Sequence, residues 1–260
     1  MLLLPENIDI TRYNFCHKRL PETLEGKRIV HLSDLHSRVF EGDRLYESVA
    51  KLRPDAVFMT GDMFHDEPSS IFGILPLMRR LPLLCPTFYI CGNHEKELPE
   101  RVLDSILSQL REYGVNVLEN SRTEFCGADI VGFVPDDEYI THFPHRIKPM
   151  LPQYVSSCIG KRSERFTILL AHDPSRFMAY CRWGADMVFS GHVHGGAVRL
   201  PVVGGLFTPS WTFFPKYQSG IYVSGRTAMV VSRGLGRERI SNPPEIILLC
   251  LHRKKSVSAD

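Results

Sequence analysis

The chain has 260 residues, 43% hydrophobic and 23% charged, a balance that suits one globular domain with a sizeable core and excludes a disordered or fibrous polypeptide. Its formal net charge of +2 sets up no field that would mark nucleic acid as the main partner. Seven cysteines, an odd number with no C-x-x-C pair, argue against a disulfide framework or a cysteine-rich zinc site. A single domain over 1–260 is expected, with a motif core at about 28–251 and a frayed basic tail at 252–260.

The opening "MLLLP" has no basic segment and meets Pro5 before a hydrophobic region can form, so no signal peptide is expected and the compartment reads as cytoplasmic. "IDITRYNF" reads as a strand. After it, a short β-type apolar run ends abruptly in metal-capable residues, five times over. "RIVHLSDLH" ends in Asp34 and His36, "DAVFMTGD" in Asp62, and "TFYICGNHE" in Asn93 and His94. "FTILLAHDP" ends in His172, and "ADMVFSGHVH" in His192 and His194. If that last segment is extended, period-two alternation sends both its imidazoles to one side. Between the runs lie helices, most clearly "PERVLDSILSQLREYG", where Val102, Leu103, Ile106, Leu107 and Leu110 share a face and Gly114 marks the end. Strands alternating with helices predict an α/β fold, in which ligands gather beyond the carboxyl ends of strands. The apolar stretch "IILLCL" near the end falls far short of the ~20 residues that cross a bilayer.

Taken in order, D-x-H, G-D, G-N-H, H and G-H-x-H resemble the calcineurin-like metallophosphoesterases, from "RIVHLSDLH" to "PPEIILLCL". "GHVHGGAVRLPVVGGLFTPS", "PKYQSGIY" and "VSRGLG" further resemble the bacterial, often membrane-associated branch that includes UDP-diacylglucosamine hydrolases. The resemblance implies a two-sheet αββα sandwich with two divalent ions, Mn, Fe or Zn, at the strand ends. It assigns Asp34, His36 and His194 to one ion, Asn93, His172 and His192 to the other, and Asp62 to both. A mixed set of Asp, His and amide donors suits such ions. It further implies that a metal-bridging hydroxide attacks a phosphodiester or pyrophosphate bond. Two ions, two carboxylates and that hydroxide leave the site at +1, attractive to phosphate.

His94 follows the ligand Asn93 and is expected to act on the leaving oxygen as general acid or as transition-state stabiliser. Glu95 and Asp173 adjoin site histidines and are candidates for orienting an imidazole, or for solvated carboxylates. His31 reads as a hydrogen-bonded core residue; His17, His142, His145 and His252 have no ligand-rich context. "GDMFHD" departs from the acidic residue that relatives carry near this point, which leaves His65 and Asp66 without a role. Arg199 and Arg233 are candidates either for pairing with phosphate oxygens or for structural ion pairs. "PDDEYITHFPHRIKPMLPQY" is irregular and suited to rimming a substrate cleft. The aromatic loop at 206–217, with Phe207, Trp211, Phe213, Phe214 and Tyr217 near Lys216, suits either a hydrophobic lid or a peripheral membrane contact. The substrate is therefore expected to be a lipid-linked or nucleotide-sugar phosphoester, with soluble nucleotides or phosphoproteins as the alternative and a non-catalytic scaffold as the remote one. No protein partner is evident.

Overall fold

The computed structural model describes residues 7–65, 68–140, 148–196, 198–200, 204–207, 216–236 and 242–254. The five apolar runs become strands buried throughout except at Arg28, which is half-buried at the start of its strand, as strands covered on both faces must be. Three of them, β2 (Arg28–Leu32), β3 (Ala56–Thr60) and β4 (Thr87–Ile90), lie side by side and parallel. Their sheet is completed by β1 (Asp9–His17), β5 (Asn116–Val117) and β14 (Glu245–Arg253), in the order β1-β14-β2-β3-β4-β5. The other two runs, β8 (Phe166–Ala171) and β9 (Met187–Ser190), belong to a second sheet. That sheet adds β6 (Arg122–Phe125), β7 (Ala128–Phe133), β12 (Gly220–Ser224) and β13 (Thr227–Val231), in the order β12-β13-β9-β8-β7-β6. A separate hairpin pairs β10 (Val198–Leu200) with β11 (Gly204–Phe207).

Strand alternation sorts the apolar side chains into three layers of core. On β3, Phe58 points between the sheets and meets Phe88 and Phe189 edge-on, with ring centroids 5.5 and 5.0 Å away. Val57 and Met59, one residue either side, face helices instead. Ile168 and Leu170 of β8 join Phe58 between the sheets, while Leu169 and Ala171 face outward. The first outer layer is covered by α1 (Arg44–Lys51), α2 (Pro68–Arg80) and α4 (Glu100–Glu112). The second is covered by α5 (Pro152–Ile159) and α6 (Phe177–Trp183). The result is the expected αββα sandwich. Truncating Phe58 to alanine at its centre costs about 3–5 kcal/mol on typical values.

Helix α4 buries Ile106, Leu107 and Leu110, with Val102 and Leu103 at its margin. Gly114, at φ +88°, turns the chain after it into a conformation that glycine accepts without cost. The segment "IDITRYNF" forms β1, which pairs parallel with β14 along nine positions. Because β14 runs on to Arg253, and His252 sits 3.0 Å from the Glu25 carboxylate, order extends past the expected boundary at 251. No helix among the described residues is long and apolar enough to cross a membrane.

His31 of β2 is fully buried and donates from Nε2 to Thr60 Oγ1 at 2.8 Å, while Thr60 in turn donates to Ser33. Burial outweighs the nearby Asp34 and holds its imidazole down at about 3. The unfolded chain therefore binds a proton that the folded chain refuses, so stability falls as pH drops from about 6.5 towards 3, by about 1.4 kcal/mol per pH unit. His31→Gln retains a donor for Thr60 without the titration. Urea unfolding across this window should show a correspondingly shallower acid slope in the variant; an unchanged slope would remove His31 as its source.

Candidate metal centre

Every expected ligand falls just beyond the carboxyl end of a strand, and all of them fall at one rim of the sandwich. Asp34 follows β2, Asp62 follows β3 and Asn93 follows β4; from the facing sheet, His172 follows β8 and His192 follows β9. Asn93 also opens the short helix α3 (Asn93–Glu97). The strand-end loops are laced to one another through the main chain: Asp34 N–H donates to Gly61, His36 N–H to Asp62 and Gly191 N–H to His172, at 2.9 to 3.0 Å.

This lacing demands unusual backbone. Asp34, His36, Asp62, His192 and His194 all have positive φ, between 49° and 69°, a region that costs a side-chain-bearing residue about 1–2 kcal/mol. His192 and His194 are thus in a turn, not an extended segment, and their rings part company. His192 turns to Asn93 and His172, and His194 turns to Asp34 and His36. Glycines supply the remaining room: a Cβ on Gly191 would lie 2.3 Å from Asp34 Oδ2, and one on Gly92 would lie 2.2 Å from Asp62 Oδ1.

The donor atoms form two groups. In one, His36 Nε2 lies 3.1 Å from His194 Nε2, which is 3.3 Å from Asp34 Oδ1. In the other, Asn93 Oδ1 lies 2.9 Å from His192 Nδ1 and 3.2 Å from His172 Nε2, which is 3.0 Å from Asp62 Oδ2. Asp62 falls in both groups. The backbone fixes several of these side chains in place. Asp34 and Asp62 accept the main-chain N–H groups of His192 and His94, each at 2.9 Å. His172 Nδ1 donates to the Thr60 carbonyl at 2.6 Å, which leaves Nε2 to face Asp62.

Such a set fits a divalent cation better than it fits itself. Asp34 Oδ2 is buried and takes no hydrogen bond among the described residues, and two pairs of ring nitrogens point at each other. Burial, then His194, pushes the His36 imidazole down to about 3, so its lone pair is free at neutral pH. Burial lowers His192 as well. Burial also raises Asp34 and Asp62, but the surrounding histidines outweigh it and hold both well below the usual carboxylate range. His172 alone goes up, to about 10, because Asp62 and Asp34 override its burial. A proton on His172 stands where this donor set calls for a cation, and neutral imidazoles with ionised carboxylates are the forms that bind metal.

The residues around the centre depart from expectation in instructive ways. Glu95 orients no imidazole and is no surface carboxylate. It is fully buried and accepts four main-chain N–H groups, from Asp62, Met63, Phe64 and Gly92, at 2.6 to 3.0 Å. Asp173 caps the next turn by accepting from Ser175 N–H at 2.8 Å. The Arg233 guanidinium is engaged by Glu245, Asn242 and Asp9, the structural ion-pair alternative. Asn242, missed in the sequence, donates to the carbonyls of His194 and Gly196 and so steadies the G-H-x-H turn from below. His94 packs edge-on against His36, with centroids 4.7 Å apart, and stacks on His65 at 5.4 Å, which brings His65 into the site. Arg199 lies on β10, and its side chain falls outside the described residues. Of the aromatic loop, Tyr217 packs inward on Phe177 and Tyr222; Trp211, Phe213 and Phe214 lie outside the described residues, as do Asp66, His142 and His145.

Fold and site together define a metal-dependent hydrolase built on a two-sheet sandwich. The chain belongs to the calcineurin-like phosphoesterase family, whose sequence profile matches residues 27–196. It is 28% identical to the metallophosphoesterase YkuE of Bacillus subtilis (strain 168) over 92% of this chain and 82% of that protein. It is 25% identical to the phosphodiesterase YaeI of Escherichia coli (strain K12), over 85% of this chain and 81% of that one. A metallophosphoesterase of Campylobacter jejuni, Cj0846, is 27% identical over 91% of this chain, which spans 62% of its length. A solved structure of the same fold superposes with a TM-score of 0.50 over 78% of this chain and 89% of its own, at 12% identity. The protein is accordingly a metal-dependent phosphoric ester hydrolase.

Glu95 yields a direct test. In Glu95→Ala, four buried N–H donors lose their acceptor, at about 1–3 kcal/mol each if unrelieved. We expect a loss of at least about 3 kcal/mol together with weakened metal retention, and a smaller loss in Glu95→Gln. Thermal unfolding and metal analysis check both; a midpoint within about 2 °C of the parent would contradict the bracing role.

Proposed function

We propose that this protein hydrolyses phosphodiesters at a centre of two divalent cations, Mn, Fe or Zn, with Asp62 shared between them. The observation that carries the reading is the position of Asp62: one buried carboxylate common to two separate donor groups. On this reading Asp34, His36 and His194 hold one cation, and Asn93, His172 and His192 hold the other. When bound, such ions supply Lewis acidity, lowering the pKa of a water and offsetting phosphoryl charge.

The chain's own residues do the rest. Thr60 fixes the His172 tautomer through its carbonyl, so that Nε2 stays available. Asp34 and Asp62 contribute only two negative charges among neutral imidazole and amide donors, which leaves the centre attractive to a phosphate anion. His94 stands at the edge of the site with its side chain 30% exposed, more open to substrate than the buried Asp34, Asp62 and His172. It gives a proton to the departing oxygen. A diester substrate is supported by the relative YaeI, named a phosphodiesterase.

Two measurements test this. Metal analysis of saturated, active protein should find two ions per chain; a fully active preparation holding one would refute the shared carboxylate. His94→Ala should retain both ions while kcat falls by about 10²–10⁴, the usual cost of losing a general acid. Loss of metal in that variant would make His94 a ligand instead.

A further inference from the structure

An open cleft of about 400 Å³ adjoins the centre on the side of Asn93, His172 and His192, which form part of its wall. The rest of the wall is largely apolar: Cys91, Val134, Pro135, Tyr139, Ile140 and Tyr180. An apolar wall with a few polar groups converging at one end is the character of sites that hold small organic groups. Cys91 and Tyr180 are buried, whereas Val134, Pro135, Tyr139 and Ile140 are half-buried and form the accessible lip.

The lip is built to keep its shape. Val134 exchanges two main-chain hydrogen bonds with the Asn120 side chain, at 2.8 and 2.9 Å. The Tyr139 ring stacks on Tyr154 at 3.9 Å, and the Tyr154 hydroxyl accepts from Asp136 N–H at 2.7 Å. Arg176, from the opposite wall, is buried and donates to the carbonyls of Tyr139 and Lys148 at 2.8 and 2.5 Å. Beyond the histidines of the metal centre, the charged residues of the described lining are Asp173 and Arg176, which face each other at 3.4 Å and are engaged with the backbone besides. Among the described residues, and apart from the histidines of the metal centre, the cleft thus offers preformed apolar surface and no unengaged charge with which to receive a charged group.

We infer that this cleft seats the ester group retained on phosphorus, and that the group is uncharged, apolar and flat, such as an aryl ring. The inference rests on the phosphodiesterase reading for the position of the phosphate. The retained group is indicated because His94, the proton donor to the departing oxygen, is not part of this wall and packs instead against His36. A ring entering between Val134, Ile140 and Tyr139 finds aliphatic and aromatic partners on the lip, which favour offset or edge-on contact.

The test compares two diesters that share a leaving group, phenyl 4-nitrophenyl phosphate and methyl 4-nitrophenyl phosphate, with metal-loaded protein. The parent should favour the phenyl ester in kcat/KM, and in Ile140→Asp the phenyl-to-methyl ratio should fall by about tenfold or more, while Ile140→Leu keeps it. A ratio unmoved by Ile140→Asp, with both diesters cleaved, overturns the cleft assignment and leaves the phosphodiesterase reading standing. A second arm needs no turnover and no variant. Non-hydrolysable phenylphosphonate bound to the parent should show nuclear Overhauser contacts from its ring to the Ile140 and Val134 methyls. Such contacts in a protein that cleaves neither diester would support the cleft and defeat the phosphodiesterase reading; their absence in the saturated complex overturns the cleft.

Discussion

Burying two carboxylates at one rim is the constraint on which this structure depends. Asp34 and Asp62 are withdrawn from water almost completely, and each would be costly there without close compensation. Compensation comes in layers. Main-chain N–H groups reach both carboxylates, imidazoles surround them, and the donor set is one that could hold a metal ion. Each layer constrains the chain elsewhere: the loops bend into positive φ, glycines stand where any Cβ would collide, and Glu95 accepts three N–H groups of the loop bearing Asp62 and one from Gly92. A third buried carboxylate is thereby recruited to position the second. Burial and the nearby Asp62 push its carboxyl up even as those backbone bonds draw it down.

Much of this was legible before any coordinates, because apolar runs that stop dead in Asp, Asn or His report both a strand and its functional end. The αββα layering and the convergence of Asp34, His36, Asp62, Asn93, His172, His192 and His194 follow from that pattern and its family resemblance. What could not be read is how polar groups pair across long sequence separations. Nothing local distinguishes Glu95 as a receiver of backbone N–H groups from Glu97 as a half-exposed neighbour. The partner of Arg233 is Glu245 in a strand of the other sheet, so its guanidinium could be assigned to phosphate or to structure with equal local support. The His192–His194 pair shows the complementary error: alternation applies to strands, and here the strand has already ended at Ser190.

The Arg233 network also explains why the last strand matters to a centre assembled from earlier ones. Glu245 of β14 holds Arg233, Arg233 reaches Asp9 of β1 and Asn242, and Asn242 holds the carbonyls behind His194. A ligand turn is thus steadied by the edge of the opposite sheet. Besides this network, the sheets meet through the aromatic core around Phe58 and along the rim where the candidate ligands gather.

The junction at the rim has a consequence for how the protein comes into being. His36 and His194 touch across 158 residues of chain, and His192 completes a group begun by Asp62. During synthesis the first sheet's β2, β3 and β4 can pair as they emerge, but neither donor group is whole until the ribosome has passed the G-H-x-H turn. Until then Asp34 and Asp62 lie in a half-built rim, without the second sheet's histidines that offset their burial in the finished fold. Any ion held by these two groups would therefore be bound only once both sheets are in place, which links metal affinity to their closure on each other.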